Sequence, residues 1–222
     1  MTSRTRLAAL AALLTACAGT AGCNLVAPVF FIVAGPDKIE AAYKLDDDRS
    51  VVVFVEDPRS SMPRRALRVA LLEAAESELL KNDLAETVVS GQAAMRTADN
   101  DPTAGDMTIT ELGRSVGADI VVWVTIDEFV RADMTRSVEP AVSMRVRVID
   151  AANNAFLFPT AGPAAASGQA VVVRDAARQG TVSSASVAQS AAELAIAAKA
   201  GTAVVQLFYT HPVTEHAAER GF

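Results

Sequence analysis

"DIVVWVTIDEFV", Asp119 to Val130, is the stretch on which the fold turns. Ile120, Val122, Val124 and Ile126 point one way and Val121, Trp123 and Thr125 the other, which makes this the strongest strand pattern in the chain. Just before it, Thr108 or Thr110 can cap a helix that runs through Val116, and Gly117 fits the left-handed residue that ends helices. Just after it, Val142, Met144, Val146 and Val148 alternate with Ser143, Arg145 and Arg147. That second strand therefore shows one face to water.

Working outward toward the N-terminus, Val51 to Val55 is an unbroken β-branched and aromatic run closed by Glu56-Asp57-Pro58, as in a strand covered on both faces. Ser60 or Ser61 can cap the next helix, with Pro63 in its first turn, and the pattern carries it to about Lys81. Leu67, Ala70, Leu71 and Ala74 share one face while Val69, Leu72 and Leu80 lie off it, so the helix needs cover from more than one direction. Glu86 to Ser90 offers a short strand, and the polar stretch from Gln92 to Asp106 reads as a loop.

Toward the C-terminus, Asp150 to Asn154 is a turn and Ala155 to Phe158 begins the returning strand. A loop from Pro159 to Ser167 leads to a strand over Gln169 to Val173. The last long element runs from about Ser184 to Phe208, where Val187, Ala191, Leu194, Ala198, Gly201, Val205 and Phe208 recur at helical steps and the small residues permit close packing on a sheet. A polar tail, expected to fray, follows over residues 209–222. The order β-α-β-α-β-β-β-α predicts one α/β (α+β) domain with a mixed sheet over residues 49–208.

The N-terminus reads as an address and not as part of this fold. Arg4 and Arg6 precede an apolar run from Leu7 to Leu14, too short to span a bilayer. Two lipoprotein-type cleavage sites follow: Leu14-Thr15-Ala16-Cys17 and Thr20-Ala21-Gly22-Cys23. Cys17 or Cys23 is thus the expected lipidation residue, giving a signal peptide of residues 1–16 or 1–22 and an apolar lead-in and tether over 23–48. The competing reading is an ordinary secretory signal with Cys23 left as an odd thiol. Because each buried methylene contributes roughly 0.8 kcal/mol, two or more acyl chains such as palmitate hold a protein to a membrane without a spanning helix.

Without the two signal arginines the balance of 20 basic and 26 acidic residues becomes 18 minus 26, or −8. That acidity argues against nucleic acid as a partner. Half of the chain is apolar, enough for one sizeable core in about 200 mature residues.

Chemistry is harder to find. His211 and His216 stand five apart in the tail without a ligand cluster, and no metal or other cofactor is expected. Asp99 to Asp106 resembles a calcium loop at its first two ligands but has Ala104 at the glycine turn and Thr110 at the glutamate position, so it reads as a loop. Ser183, Ser184 and Ser186 lack both a nucleophile elbow and a histidine base, and serve better as caps. Asp46-Asp47-Asp48 reads as a solvated turn. Arg64, Arg65 and Arg68 crowd the start of the first helix, against its dipole; they are either a solvated face paired with Glu56 or Asp57, or a contact site for an anion or a partner.

Leu112 to Val122, "LGRSVGADIVV", resembles the helix, Gly-Ala-Asp, apolar-strand junction of a group of bacterial envelope proteins. The group comprises the curli-secretion lipoproteins, the lipoprotein activators of peptidoglycan synthases and the N-terminal domain of the Tol system's propeller protein. The likeness in element order spans roughly residues 48–208. Members of the group often place a glycine soon after this strand, where Trp123-Val124-Thr125 stands here. The segment from Cys23 through Gly35-Pro36 to Leu45 is also similar to the start of planctomycete-type lipoproteins. Both resemblances imply a non-enzymatic, lipid-anchored scaffolding or protein-binding module of the cell envelope, facing the periplasm, with a membrane and an envelope protein as partners. The alternatives are a subunit of an export or assembly complex, and a lipid-anchored hydrolase using carboxylates such as Asp57 or Asp127 at strand ends.

Overall fold

The computed structural model describes residues 38–101, 107–133, 138–174 and 185–213. The chain divides into two units, Met1–Ile39 and Glu40–Phe222; of the first, only Lys38 and Ile39 are described. Cys17 and Cys23 lie outside the described residues.

The second unit is a mixed α/β domain. Its elements are β1 (Ser50–Glu56), α1 (Arg65–Lys81), β2 (Thr87–Val89), α2 (Gly91–Asp99), α3 (Ile109–Val116), β3 (Ile120–Val130), β4 (Ala141–Asp150), β5 (Ala155–Phe158), α4 (Ala164–Ser167), β6 (Gln169–Arg174) and α5 (Ala185–Val205). The sheet order is β2-β1-β3-β4, and β4's outer edge is shared by β5 and β6. β1 runs parallel to β2 and β3, as two helical crossovers require, and the strands from β3 onward are antiparallel.

Register explains the two faces. Val53 lies beside Val122 and Val122 beside Val148, so Val51, Val53 and Val55 of β1, Ile120 to Ile126 of β3 taken alternately, and Val142 to Val148 of β4 form one continuous apolar face. Every residue of that face is buried, each fully covered valine or isoleucine contributing roughly 1.5–3 kcal/mol. α1 and α5 cover it.

On the opposite face α3 covers the end that carries Val121; a Cβ on Gly113 would stand 2.6 Å from the Val121 side chain, so only glycine fits this contact. Thr108 caps α3 through a capping box with Glu111, and Gly117 closes it at φ 76°, both as the sequence reads.

Five expectations are corrected. α1 starts at Arg65 and is not capped by Ser60 or Ser61. The Asp57 carboxylate instead accepts the N–H and hydroxyl of Ser61 and the N–H of Met62, at 2.8 to 3.0 Å, so the chain turns before the helix can begin.

The polar stretch after Gln92 is helical as far as Asp99. Ala94 and Met95 point into the core, and Glu76 of α1 accepts the Gly91 N–H at 2.6 Å, supplying the acceptor that Ser90 does not. Burial pushes the Glu76 carboxyl above its usual range, against the pull of that bond. Residues 102–106 lie outside the described set.

The expected stripe of α5 holds only in its C-terminal part, where Gly201, Val205 and the following Phe208 are buried; Val187, Ala191 and Leu194 are exposed, while Glu193, Ile196, Ala197, Ala200 and Val204 face inward. The helix packs closely on α1 as well as near β4 and β6, and a Cβ on Gly201 would lie 2.1 Å from the Leu71 carbonyl oxygen.

The tail does not fray at Tyr209. Its hydroxyl donates to Glu78, which raises the Tyr209 pKa through burial first and this bond second, and His211 is buried. The end of the expected tether is likewise held, since Ala42 and Tyr43 donate to the Leu207 carbonyl at 2.8 and 3.1 Å, and the Tyr43 ring packs on Phe158 and Phe208.

Candidate contact surface

The three arginines at the start of α1 meet different fates. Arg64 reaches across to α5, donating to Glu193 Oε2 at 2.9 Å. Arg65 pairs with Asp99 at the end of α2, at 2.7 Å on the surface. Arg68 is half-buried. Glu56 and Asp57, their expected partners, are engaged elsewhere: Glu56 by Trp123, Asp57 by its own turn.

Glu193 was invisible to the sequence reading because it interrupts an apolar stripe. Its side chain is only 1% exposed, yet it accepts from Arg64, from Arg131 Nε at 3.0 Å and from Gln189 at 3.3 Å. Arg131 follows β3 directly, so one carboxylate fastens the sheet, α1 and α5 together. A buried charge is tolerable only when paired in this way.

A second unforeseen group lies on the sheet face opposite the main core. Phe54, Trp123 and Arg147 stand side by side on β1, β3 and β4, and the next row on the same face is Glu56, Thr125 and Arg145. Trp123 Nε1 donates to Glu56 Oε2 at 3.0 Å. The Arg147 guanidinium lies 5.1 Å from the Trp123 ring centroid, a cation–π distance, and also donates to the Ala166 carbonyl of α4 at 2.6 Å. Arg145 donates to Asp127 at 2.8 Å, Asp127 being the extra residue where the β3–β4 register shifts. Trp123, Thr125 and Arg147 are half-buried and Arg145 is exposed, as are parts of Ala170 and Val172 on β6. The result is a rigid patch of one indole, short apolar side chains and two guanidiniums set on paired strands.

The remaining candidates are accounted for locally. Asp57 and Asp127, the carboxylates named for a hydrolase, are each held by separate partners. His211 is packed beside Tyr209, correcting the solvated reading, and His216 lies outside the described residues. Asp99 pairs with Arg65, and Asp101 accepts the Met107 N–H at 3.1 Å. The carboxylates of Asp46, Asp47 and Asp48 lie within 4.8 Å of one another on an exposed turn, as expected for solvated acids.

At the β1–β4 end, burial alone would raise the Asp150 pKa, but hydrogen bonds from Arg49 and Asn153 outweigh it and hold the carboxyl at about 2. Among the described residues no helix is long and apolar enough to cross a membrane.

No family model and no curated protein matches the chain. Solved structures do. The PelC dodecamer from Paraburkholderia phytofirmans is 13% identical, with a TM-score of 0.43 over 78% of this chain and 97% of that one. Lipoprotein GNA1162 from Neisseria meningitidis is 15% identical, with a TM-score of 0.40 over 67% and 95%. Protein XCC0632 from Xanthomonas campestris, of the DUF330 family, is 12% identical, with a TM-score of 0.42 over 77% and 90%. These are distant likenesses, one of them to a lipoprotein, and none assigns this chain a partner or an activity.

Proposed function

We propose that this chain is a non-enzymatic module of the bacterial cell envelope, anchored by lipid on Cys17 or Cys23 and facing the periplasm, that works by docking an envelope protein. The anchor rests on the cysteine patterns after a short apolar signal. The docking reading rests on the patch around Trp123. An indole held rigid by Glu56 and Arg147 on three paired strands offers a large, pre-ordered contact at little entropic cost, and tryptophan and arginine dominate protein interfaces. The partner surface that fits presents an apolar side chain to Trp123 and carboxylates to Arg145 and Arg147.

The test places a photo-crosslinking residue at Thr125 of the full chain in its host envelope, with a control at Leu80, exposed on α1. The expected result is a discrete crosslinked protein from Thr125 alone, lost on Trp123→Ala, together with palmitate incorporation lost on Cys17→Ser or Cys23→Ser. Identical products from both positions end the docking reading. Unlabelled wild-type chain ends the anchor.

A further inference from the structure

β5 and β6 divide the outer edge of β4 at a single residue. Phe158, the last of β5, lies beside Val148, and Gln169, the first of β6, lies beside Val146, so residues 159–168 leave and return on either side of Arg147. A loop whose ends meet in this way is packed by its own contacts. The Ala165 N–H donates to the Gly162 carbonyl, the Gly168 N–H to that of Ala164 and the Ser167 hydroxyl to that of Pro163, all inside the loop.

The two ends are fixed. Pro159 and Gly168 are buried, and a Cβ on Gly168 would stand 3.1 Å from the Arg145 Cβ and 3.3 Å from the Arg147 Cγ. The middle is held differently, because no residue of α4 is buried and Ala165 and Ala166 are exposed. What draws this middle onto the sheet face is the bond from Arg147 Nη2 to the Ala166 carbonyl, at 2.6 Å. Gly162 and Gly168, at φ 71° and 90°, bound α4 on its two sides.

Arg147 therefore serves two structures at once, the indole of Trp123 and the loop. Release of the loop uncovers no core side chain, and the exposed Ala166 carbonyl regains water. A carboxylate offers a guanidinium two parallel bonds and a full opposite charge, and outcompetes one neutral carbonyl.

We propose that residues 159–168 form a flap latched beside the Trp123 patch by Arg147, and that a docking partner's carboxylate takes the guanidinium from Ala166 and frees the flap. This rests on the docking reading above and adds that the surface is regulated by part of the same chain. Partner and closed flap compete for one group, so closure weakens docking and docking loosens the loop by the same factor.

Amide hydrogen exchange of the full chain reads the latch without a partner. In Arg147→Met the Ala165 and Gly168 N–H groups are expected to exchange about tenfold faster than in wild type, the scale of one charged hydrogen bond, with the β4 amides unchanged. The competition is read with Arg147 in place. Ala164→Gly, Ala165→Gly and Ala166→Gly together favour the released loop by entropy and touch no buried side chain. With the photo-crosslinking residue at Thr125 in the host envelope, this triple variant is expected to give at least threefold more of the discrete product than wild type.

Loop exchange unchanged in Arg147→Met, or raised no more than that of β4, overturns the latch and leaves docking standing. Equal or lower crosslinking in the triple variant, beside a normal wild-type product, overturns the competition. No Thr125 product from either chain ends the docking reading and the competition with it, whatever the exchange shows.

Discussion

Glu193 gives the sharpest test of how the domain is held together. Changing it to glutamine keeps the shape and removes the charge: one arginine keeps an acceptor, while the new amide turns its own donors toward the other. Each charge-assisted bond contributes about 1.5–3 kcal/mol. Arg64 is 39% and Arg131 58% exposed, so both regain water on release and part of that is recovered. The expected net loss is about 2 kcal/mol.

Glu193→Leu makes the contrast. Leucine continues the stripe of Ile196, Ala197 and Ala200, frees both arginines to solvent and leaves no buried polar atom, so its cost is expected below about 1 kcal/mol. Urea unfolding of the full chain followed by circular dichroism reads the difference. At a slope of about 2 kcal/mol per molar, Glu193→Gln lowers the midpoint by about 1 M and Glu193→Leu by less than half of that. An unmoved midpoint for Glu193→Gln, or a larger drop for Glu193→Leu, refutes the reasoning.

Two further outcomes follow from the packing and the acids. In Gly201→Ala the new Cβ lies 2.1 Å from the Leu71 carbonyl where ordinary contact begins at 3.4 Å, so α1 and α5 must part by 3.4 − 2.1 = 1.3 Å; overpacking of about 1–3 kcal/mol lowers Tm by roughly 3–10 °C in a thermal melt, and an unchanged melt argues against the close contact. Asp150 has a folded pKa of about 2 against 3.8 unfolded, so its contribution of about 2 kcal/mol is present above pH 4 and lost as pH falls toward 2; Asp150→Asn is expected to flatten the acid limb of midpoint against pH, and parallel wild-type and variant curves would contradict this.

The sheet was legible because its strands alternate cleanly. Val142 to Val148 against Ser143 to Arg147 fixes which face is wet without any tertiary knowledge. The capping box at Thr108 and the glycine at 117 are equally local. What escaped depends on distant partners. α2 looks polar in isolation, and its N-terminus is completed by Glu76, fifteen residues away. The N-terminal half of the α5 stripe is set by Glu193, which apolar periodicity does not pick out and which only Arg64 and Arg131, far earlier in the chain, make an inward residue. The Trp123 patch likewise exists only once β1, β3 and β4 take their register.

The sheet's margins carry a consequence of their own. Its three inner strands run to seven, eleven and ten residues, whereas the outermost are β2 with three, β5 with four and β6 with six. β5 and β6 also divide one margin between them. Short, interrupted rims offer little ladder for a stranger's backbone to zip onto, so such a domain resists cross-linking into fibrils even where many copies crowd together on a surface.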